Sequence, residues 1–321
     1  MNKWIKVGFN NLFNLSIKHR HLSSSQRATS SFKKIFQILE INPYWITGFV
    51  DAEGCFSIRI TKSKNTKWKV STSFEISLHI KDVDILYKIQ SFFGVGAVYL
   101  RKDRNIAAYK VSKLEYLRDK IIPHFKKYPL ISQKSIDFDL WCKVIEIILK
   151  KEHLSQSGFL TVLTYCASIN RGTSKKVFFL YPNIKPVIRP RVILPLNLNP
   201  YWVSGFVSGD GGFSIVIRPS NSYKLKQQVA FRFHIAQHNR DIEVLNLISK
   251  FFNCGTVYVR SNSSQLCDFV IQDTKLLLSN ILPHFEIYPI LNLKYKDYIC
   301  FKKALEIFLS KQHLKQGFRY N

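Results

Sequence analysis

Glu53 and Asp210 are the residues of this sequence best placed to do chemistry. Each stands just before the final glycine of a segment that occurs twice: Asn42-Pro43-Tyr44-Trp45-Ile46-Thr47-Gly48-Phe49-Val50-Asp51-Ala52-Glu53-Gly54 returns as Asn199-Pro200-Tyr201-Trp202-Val203-Ser204-Gly205-Phe206-Val207-Ser208-Gly209-Asp210-Gly211. Each segment opens with Asn and Pro, an N-cap and a first-turn proline that start a helix, and closes on Gly, a common helix terminator. A carboxylate at a helix C-terminus opposes the helix dipole by about 0.3 to 1 kcal/mol where exposed, and a second beside it adds repulsion. A divalent cation would offset that cost. Hard oxygen ligands suit Mg²⁺, and a metal between carboxylates and a phosphate can activate water and neutralise the leaving oxygen. The plain alternative is a pair of ordinary helix-end acids.

Positioning the acids falls to the helices that carry them. Gly48 and Ala52 lie four residues apart, as do Gly205 and Gly209, so each helix has a face of small residues that another backbone can approach. Packing of the two helices on each other is expected, with Glu53 and Asp210 side by side at their ends. The duplication runs well beyond this segment. Phe92-Phe93-Gly94-Val95-Gly96 matches Phe251-Phe252-Asn253-Cys254-Gly255, Ile122-Pro123-His124-Phe125 matches Leu282-Pro283-His284-Phe285, and Lys151-Glu152-His153-Leu154 matches Lys311-Gln312-His313-Leu314. The offset stays between 157 and 160 residues, which marks two copies of one unit.

The organisation read from this is a basic extension over 1–39, expected to be flexible, a first domain over 40–154, a linker over 155–198 and a second domain over 199–317. The linker is expected to hold a helix from Leu160 to Asn170 and a Pro-rich stretch from Pro182 to Pro195. Within each copy the pattern reads helix, two strands, helix, two strands, then helices. Phe56-Ser57-Ile58-Arg59-Ile60 and Ser73-Phe74-Glu75-Ile76-Ser77 alternate apolar with polar, as a half-buried strand does. Asp82–Phe93 and Phe138–Leu149 read as helices. An α+β fold follows, with antiparallel sheets packed on helices by one face and open to a ligand on the other.

Charge says what that ligand is. Lys and Arg number 48 against 21 acids, a net charge of +27 spread along the chain, and aromatics make up 14% of residues. A polyanion, nucleic acid above all, is the partner such a surface suits, whereas membrane-surface proteins concentrate their charge in one amphipathic helix or run. No apolar stretch is long enough to span a bilayer. The six cysteines show neither C-x-x-C pairs nor zinc spacing and read as reduced. Asn14 and Asn262 match the glycosylation pattern by chance. Residues 1–39, basic and acid-free, fit a mitochondrial transit peptide, a basic arm or upstream coding sequence. Heavy use of Phe, Tyr, Ile, Lys and Asn fits an AT-rich organellar gene, so a mitochondrial location is expected.

The two motif segments resemble those of the LAGLIDADG homing endonucleases of the single-chain, two-motif, intron-encoded type, and the likeness extends from about residue 40 to 317. The resemblance implies a pseudo-twofold saddle whose sheets lie in the major groove of double-stranded DNA, and metal-dependent cleavage of a long site leaving 3′ overhangs. It makes Glu53 and Asp210 metal ligands, with the backbone carbonyls of Ala52 and Gly209, for Mg²⁺ or for Ca²⁺ or Mn²⁺ in its place. It casts Lys134 and Lys294 as cations flanking the site and Gln237 as a residue that orders water, although the first copy has Leu78 there. Asp replaces Glu in the second motif, and Ser208 stands where the first has Asp51, outside the ligand position. The repeated histidine pairs His79 and His238, His124 and His284, His153 and His313 read as structural.

Strand alternation selects the side chains that face DNA. In the first copy these are Ser57, Arg59, Thr61, Lys69, Ser71, Ser73, Glu75, Ser77, Tyr99, Arg101, Lys110 and Ser112, with Lys62, Lys64 and Lys67 on phosphates. In the second they are Ser214, Arg218, Gln228, Arg232, His234, Tyr258, Arg260 and Gln272. The mixture suits base-edge readout, and the difference between copies predicts an asymmetric site read by a monomer. Two rivals remain: an RNA maturase acting on host intron RNA, and a DNA-binding regulator that does not cut. A purely structural role, such as an organellar ribosome component, would explain the charge but not the acids.

Overall fold

Both repeated segments are helices for the reason their first residues suggest. In the computed structural model, which describes residues 40–62, 68–222 and 226–311, Asn42 and Asn199 accept through Oδ1 from the backbone N–H of Tyr44 and Tyr201, each at 2.9 Å. Helices α1 (Pro43–Glu53) and α7 (Pro200–Asp210) follow. Their ends differ from expectation. Gly54 and Gly211 are extended, with φ of −77° and −80°, not left-handed. Glycine stands there for room: a Cβ would fall 2.4 Å from Val50 Cγ1 in one repeat and 2.6 Å from Val207 Cγ1 in the other. The chain thereby passes from helix straight into strand.

In the first repeat, β1 (Gly54–Lys62) and β2 (Trp68–His79) form a hairpin, α2 (Val83–Phe93) follows, and β3 (Ala97–Arg101) and β4 (Ile106–Val111) complete a sheet of order β1-β2-β4-β3. A helical run over residues 114–127 ends in α3 (Ile122–Lys127), and α4 (Lys134–Leu149) closes the unit. The second repeat copies the plan with β5 (Gly211–Pro219), β6 (Gln227–His238), α8 (Ile242–Phe252), β7 (Thr256–Arg260), β8 (Ser263–Ile271), α9 (Leu282–Ile287) and α10 (Lys294–Leu309), in the order β5-β6-β8-β7. All pairings are antiparallel. Contacts gather Ile41–Lys302 into one compact unit, which carries both sheets and both motif helices, and the end of α10 from Lys303 groups apart from it.

One face of each sheet is buried under helices. Phe56 centres the first core, with ring centroids 5.3 Å from Phe74, 5.5 Å from Phe125 and 5.1 Å from both Phe138 and Trp141. Phe213 does the same in the second, beside Phe233, Phe285, Tyr298 and Phe301. Each such ring contributes about 1.5 to 3 kcal/mol on full burial.

Helix α4 begins at Lys134, four residues before the apolar periodicity would start it. The linker holds two helices, α5 (Gln156–Ser168) and α6 (Lys175–Leu180), the first four residues earlier than expected and the second unanticipated. Ser155 and Ser174 cap them through Oγ. Beyond Tyr181 no regular element forms before α7, since Pro182, Pro186, Pro190 and Pro195 lack the N–H that one would need. Lys64, Lys67 and His313 lie outside the described residues, as does the 1–39 extension.

Candidate active site and nucleic-acid interface

Helices α1 and α7 pack as closely as two backbones can. A Cβ on Gly48 would lie 2.0 Å from the carbonyl oxygen of Trp202, and one on Gly205 would lie 2.0 Å from that of Trp45. At the C-terminal ends, a Cβ on Gly209 would meet Ala52 Cβ at 2.3 Å and Glu53 Oε1 at 3.5 Å. The small residues thus bring the two acid-bearing ends together, as the spacing predicts. Burial pushes the Glu53 carboxyl above its usual range, and the Asp210 charge pushes it further. Burial likewise raises Asp210, opposed by Lys134, Lys294 and a hydrogen bond from Gln237 Nε2. Gln237 is therefore in direct contact with the acid pair.

Both lysines sit at the helix ends. Lys134 Nζ donates to the carbonyl oxygens of Val50 at 2.9 Å and Ala52 at 3.1 Å, and Lys294 Nζ to those of Val207 at 3.0 Å and Gly209 at 2.6 Å. An ammonium there complements the negative end of the helix dipole. Burial lowers both pKa values, that of Lys294 to about 8. The carbonyls of Ala52 and Gly209, assigned to a metal by resemblance, thus already accept from lysine, and each keeps one lone pair for a second partner.

Two carboxylates and two carbonyls fit a hard cation. Among the described residues no group of three or more His, Cys, Asp or Glu could hold a metal alone. The acid pair is an open shell of oxygen donors that phosphate oxygens and water would complete. Burial raises both carboxyls and the Asp210 charge adds to the rise at Glu53, a cost that a divalent ion between them would offset.

Residues outside the expected set build the ground beneath this pair. Asp51 is buried and accepts from Ile131 N–H at 3.0 Å, Ser132 N–H at 3.2 Å, Ser132 Oγ at 2.6 Å and Trp202 Nε1 at 2.8 Å. It holds the turn before Lys134 and ties α1 to α7. Arg189 of the linker pairs with Asp137 at 2.6 Å and donates to the Gln133 carbonyl at 3.0 Å. His124 and His284 are buried, bonded to Thr47 and Ser204, and burial lowers their pKa to about 4. His79 and His238 cap the turns after β2 and β6 through Nδ1. These four histidines are structural, as expected.

The strand register puts all the expected reading residues on the open faces. Ser57 pairs with Ser73, Arg59 with Ser71, Thr61 with Lys69, Glu75 with Lys110 and Tyr99 with Ala108, while Ser214 pairs with Arg232 and Arg218 with Gln228. Arg59, Thr61, Lys62, Lys69, Ser77, Tyr99, Arg101, Ser112, Arg218, Gln228, Tyr258 and Gln272 are exposed. One residue has little surface to offer: Ser73 is 5% exposed, and its hydroxyl bonds Ser57 Oγ at 2.9 Å across the open face. Others already have partners. Glu75 meets Lys110 at 3.2 Å and Ser77 Oγ at 2.9 Å, and Arg260 grips buried Asp268 through two bonds of 2.6 and 2.8 Å. Arg232, His234, Ser71 and Ser214 are half-buried. The faces are also less polar than the alternation implied, carrying Ala97, Ile106, Ala108, Val216, Ala230 and Val270 in the same rows.

A groove of about 1030 Å³ runs beside the first sheet, lined by Arg59, Lys69, Glu75 and Lys110 and by Arg171, Thr173 and Ser174 of the linker. The linker residues were missed because no repeat or strand period marks them. Asn170 fixes them there, its Nδ2 donating to the Phe56 carbonyl at 2.7 Å.

Comparison with known proteins agrees with this geometry. A family model of LAGLIDADG endonucleases matches residues 46–145 and 203–305. Probable intron-encoded endonuclease 3 of Neurospora crassa is 33% identical over 98% of this chain and 59% of its own length, and probable intron-encoded endonuclease 2 of the same fungus is 35% identical over 86% and 62%. The chain therefore spans about three fifths of these relatives. Among solved structures, that of I-SmaMI bound to an uncleaved DNA target with calcium ions superposes with a TM-score of 0.82, at 33% identity, over 86% of this chain and 94% of that one.

Proposed function

This chain belongs to the LAGLIDADG endonuclease family, and from that premise we propose that it is a site-specific endonuclease of double-stranded DNA. The observation that carries the reading is the acid pair, Glu53 and Asp210, held together at the touching ends of two glycine-packed helices. Without a chemical role, such a pair costs stability, and in a chain of net charge +27 it would repel the polyanion the rest of the surface attracts.

Glu53 and Asp210, with the carbonyls of Ala52 and Gly209, would hold Mg²⁺, and Ca²⁺ or Mn²⁺ would take the same donors. Bound there, the metal would supply Lewis-acid activation of water and neutralise charge on the leaving oxygen. Gln237, bonded to Asp210, orients that carboxylate and presents its amide to solvent ordered beside it. Lys134 and Lys294 fix the helix ends and bring positive charge to where the phosphate gathers negative charge. The open sheet faces read the duplex. At equivalent places in the two sheets, Arg218 and Gln228 stand where the first repeat has Thr61 and Lys69, and Arg232 and His234 where it has Ser73 and Glu75, so the target is long and asymmetric. Cutting is staggered and leaves 3′ overhangs. One chain holds both halves and works as a monomer, and its likeness to intron-encoded relatives supports an organellar, mitochondrial site of action.

The test is a randomised duplex library incubated with the protein in Mg²⁺ and, in parallel, Ca²⁺, with Glu53→Gln and Asp210→Asn as controls. Recurrent staggered ends around one asymmetric sequence, present in Mg²⁺ and abolished by either substitution, are expected. Tight, salt-sensitive binding without cutting in any metal would refute the nuclease reading and leave a binding protein.

A further inference from the structure

Two aspartates outside the acid pair tie each lysine turn to the opposite repeat. Asp241 lies in the short turn Asn239–Asp241 ahead of α8 and accepts through Oδ1 from the backbone N–H of Gln133 at 2.7 Å. Asp82, in the matching turn Ile80–Asp82 ahead of α2, accepts from the N–H of Leu293 at 3.0 Å. Gln133 and Leu293 immediately precede Lys134 and Lys294, so each repeat holds the start of the helix that carries the other's lysine. A helix start has unsatisfied N–H groups and a positive dipole end, and a carboxylate answers both.

The other supports of the two turns differ. Asp51 and Arg189 brace the Lys134 turn, while Asn292 Nδ2, donating to the Ser208 carbonyl at 2.9 Å, braces the Lys294 turn. The inter-repeat aspartate is what both share. Each also lies close enough to feel the lysine's charge, Asp241 that of Lys134 and Asp82 that of Lys294. Because Lys134 grips the end of α1 and Lys294 the end of α7, a turn that slips withdraws its ammonium from one acid-bearing helix and leaves the other in place.

We propose that Asp82 and Asp241 are reciprocal positioning residues, each setting the lysine of the opposite repeat, so that each half of the molecule governs the cut made beside the other half's lysine. The inference rests on the endonuclease reading. It is tested with Asp82→Ala, Asp241→Ala and the corresponding Asn variants, on a target duplex labelled separately on each strand, under single-turnover conditions in Mg²⁺. Each Ala variant is expected to slow one strand on the order of 10- to 100-fold more than the other, the range that misplacement by about an ångström produces, and the two variants are expected to favour opposite strands. The Asn variants, whose side-chain oxygen still accepts, restore cutting to within about threefold. Binding in Ca²⁺ stays within about twofold, since neither aspartate lies on a reading face. Amide exchange gives a second readout that needs no cleavage: Asp241→Ala exposes the Gln133 amide and Asp82→Ala the Leu293 amide. Equal slowing of both strands, the same bias from both variants, rescue failing with Asn, or unchanged exchange would overturn the proposal. A wild-type chain that cuts neither strand would instead overturn the endonuclease reading, which the exchange measurement keeps distinct from failure of the brace.

Discussion

Replacing Gly205 with Ala should cost both stability and activity, through one displacement. The added Cβ would sit 2.0 Å from the Trp45 carbonyl oxygen, 2.9 Å from the Phe49 nitrogen and 2.9 Å from the Trp45 carbonyl carbon. All three are backbone atoms of a helix, so no side chain can rotate out of the way. Ordinary contact of a Cβ begins at about 3.4 Å, so α1 and α7 must part by about 1.4 Å, and overpacking of this kind costs about 1 to 3 kcal/mol or more. The same displacement acts at the helix ends, where that packing sets the separation of Glu53 and Asp210, and misplacement of about an ångström lowers turnover on the order of 100-fold. Urea unfolding would read the first effect and single-turnover cutting of the target in Mg²⁺ the second. Gly48→Ala, which meets Trp202 in the same way, should match it. Wild-type unfolding and wild-type cutting by either variant would refute the argument that backbone contact at these two glycines sets the spacing of the acids.

Lys294→Met should leave DNA affinity in Ca²⁺ nearly unchanged and lower cutting in Mg²⁺ on the order of 100-fold, read by parallel binding and cleavage assays. Unfolding measured across pH should show stability falling as pH drops from 6.5 towards 4. The unfolded chain protonates its histidines near 6.5 while His124 and His284 stay neutral to about 4, a difference worth roughly 3 kcal/mol for each, and His124→Gln should flatten the slope. The Arg260 guanidinium holds the Asp268 carboxyl below its usual 3.8, so its contribution is complete above that value and lost as pH falls through the depressed one. The stability gap between the wild type and Asp268→Asn should therefore close in acid, and the same variant should relax base preference where Arg260 reads, seen by sequencing cut ends from a partly randomised target.

How much of this was legible depends on the range of the interactions. Asn42 and Asn199 cap helices two residues away, and Gly48 and Gly205 repeat in register, so local spacing carried both motif helices and their contact. The period of two in β1 and β2 carried the open sheet face for the same reason. What spacing could not carry was where side chains end. Lys134 reaches carbonyls more than eighty residues back, and Ser73 turns into a bond with Ser57 although its place in the alternation is correct. Arg260 was readable as an outward arginine, but Asp268 beneath it was not, because its counterpart in the first repeat is Ala108. Asp82 and Asp241 did leave a trace, matching places in Ile80-Lys81-Asp82 and Asn239-Arg240-Asp241, which comparison of the repeats alone could have found.

The duplication is faithful at the helix ends and broken one turn away, and the break has a physical cost. In the first repeat buried Asp51 satisfies four donors, including Trp202 Nε1 from the second. The matching position in the second repeat is Ser208, whose hydroxyl turns back to the Ser204 carbonyl at 2.7 Å. Trp45 Nε1, the counterpart of the satisfied indole, is left buried with no hydrogen-bond partner among the described residues, and so is Asn292 Oδ1, at the place of Ser132. An orphaned buried donor costs about 1 to 3 kcal/mol, yet a second aspartate here would have put another carboxyl, raised by burial as Asp51 is, under an acid pair that burial already raises. Burial of one such carboxylate can be offset by four donors and a neighbouring lysine. With two of them beneath Glu53 and Asp210, Lys134 and Lys294 would be shared among four acids, and the helix ends would compete with their own foundations for the cations that hold them. The unpaired indole is the smaller cost, and it falls at a site where the two repeats need not be alike.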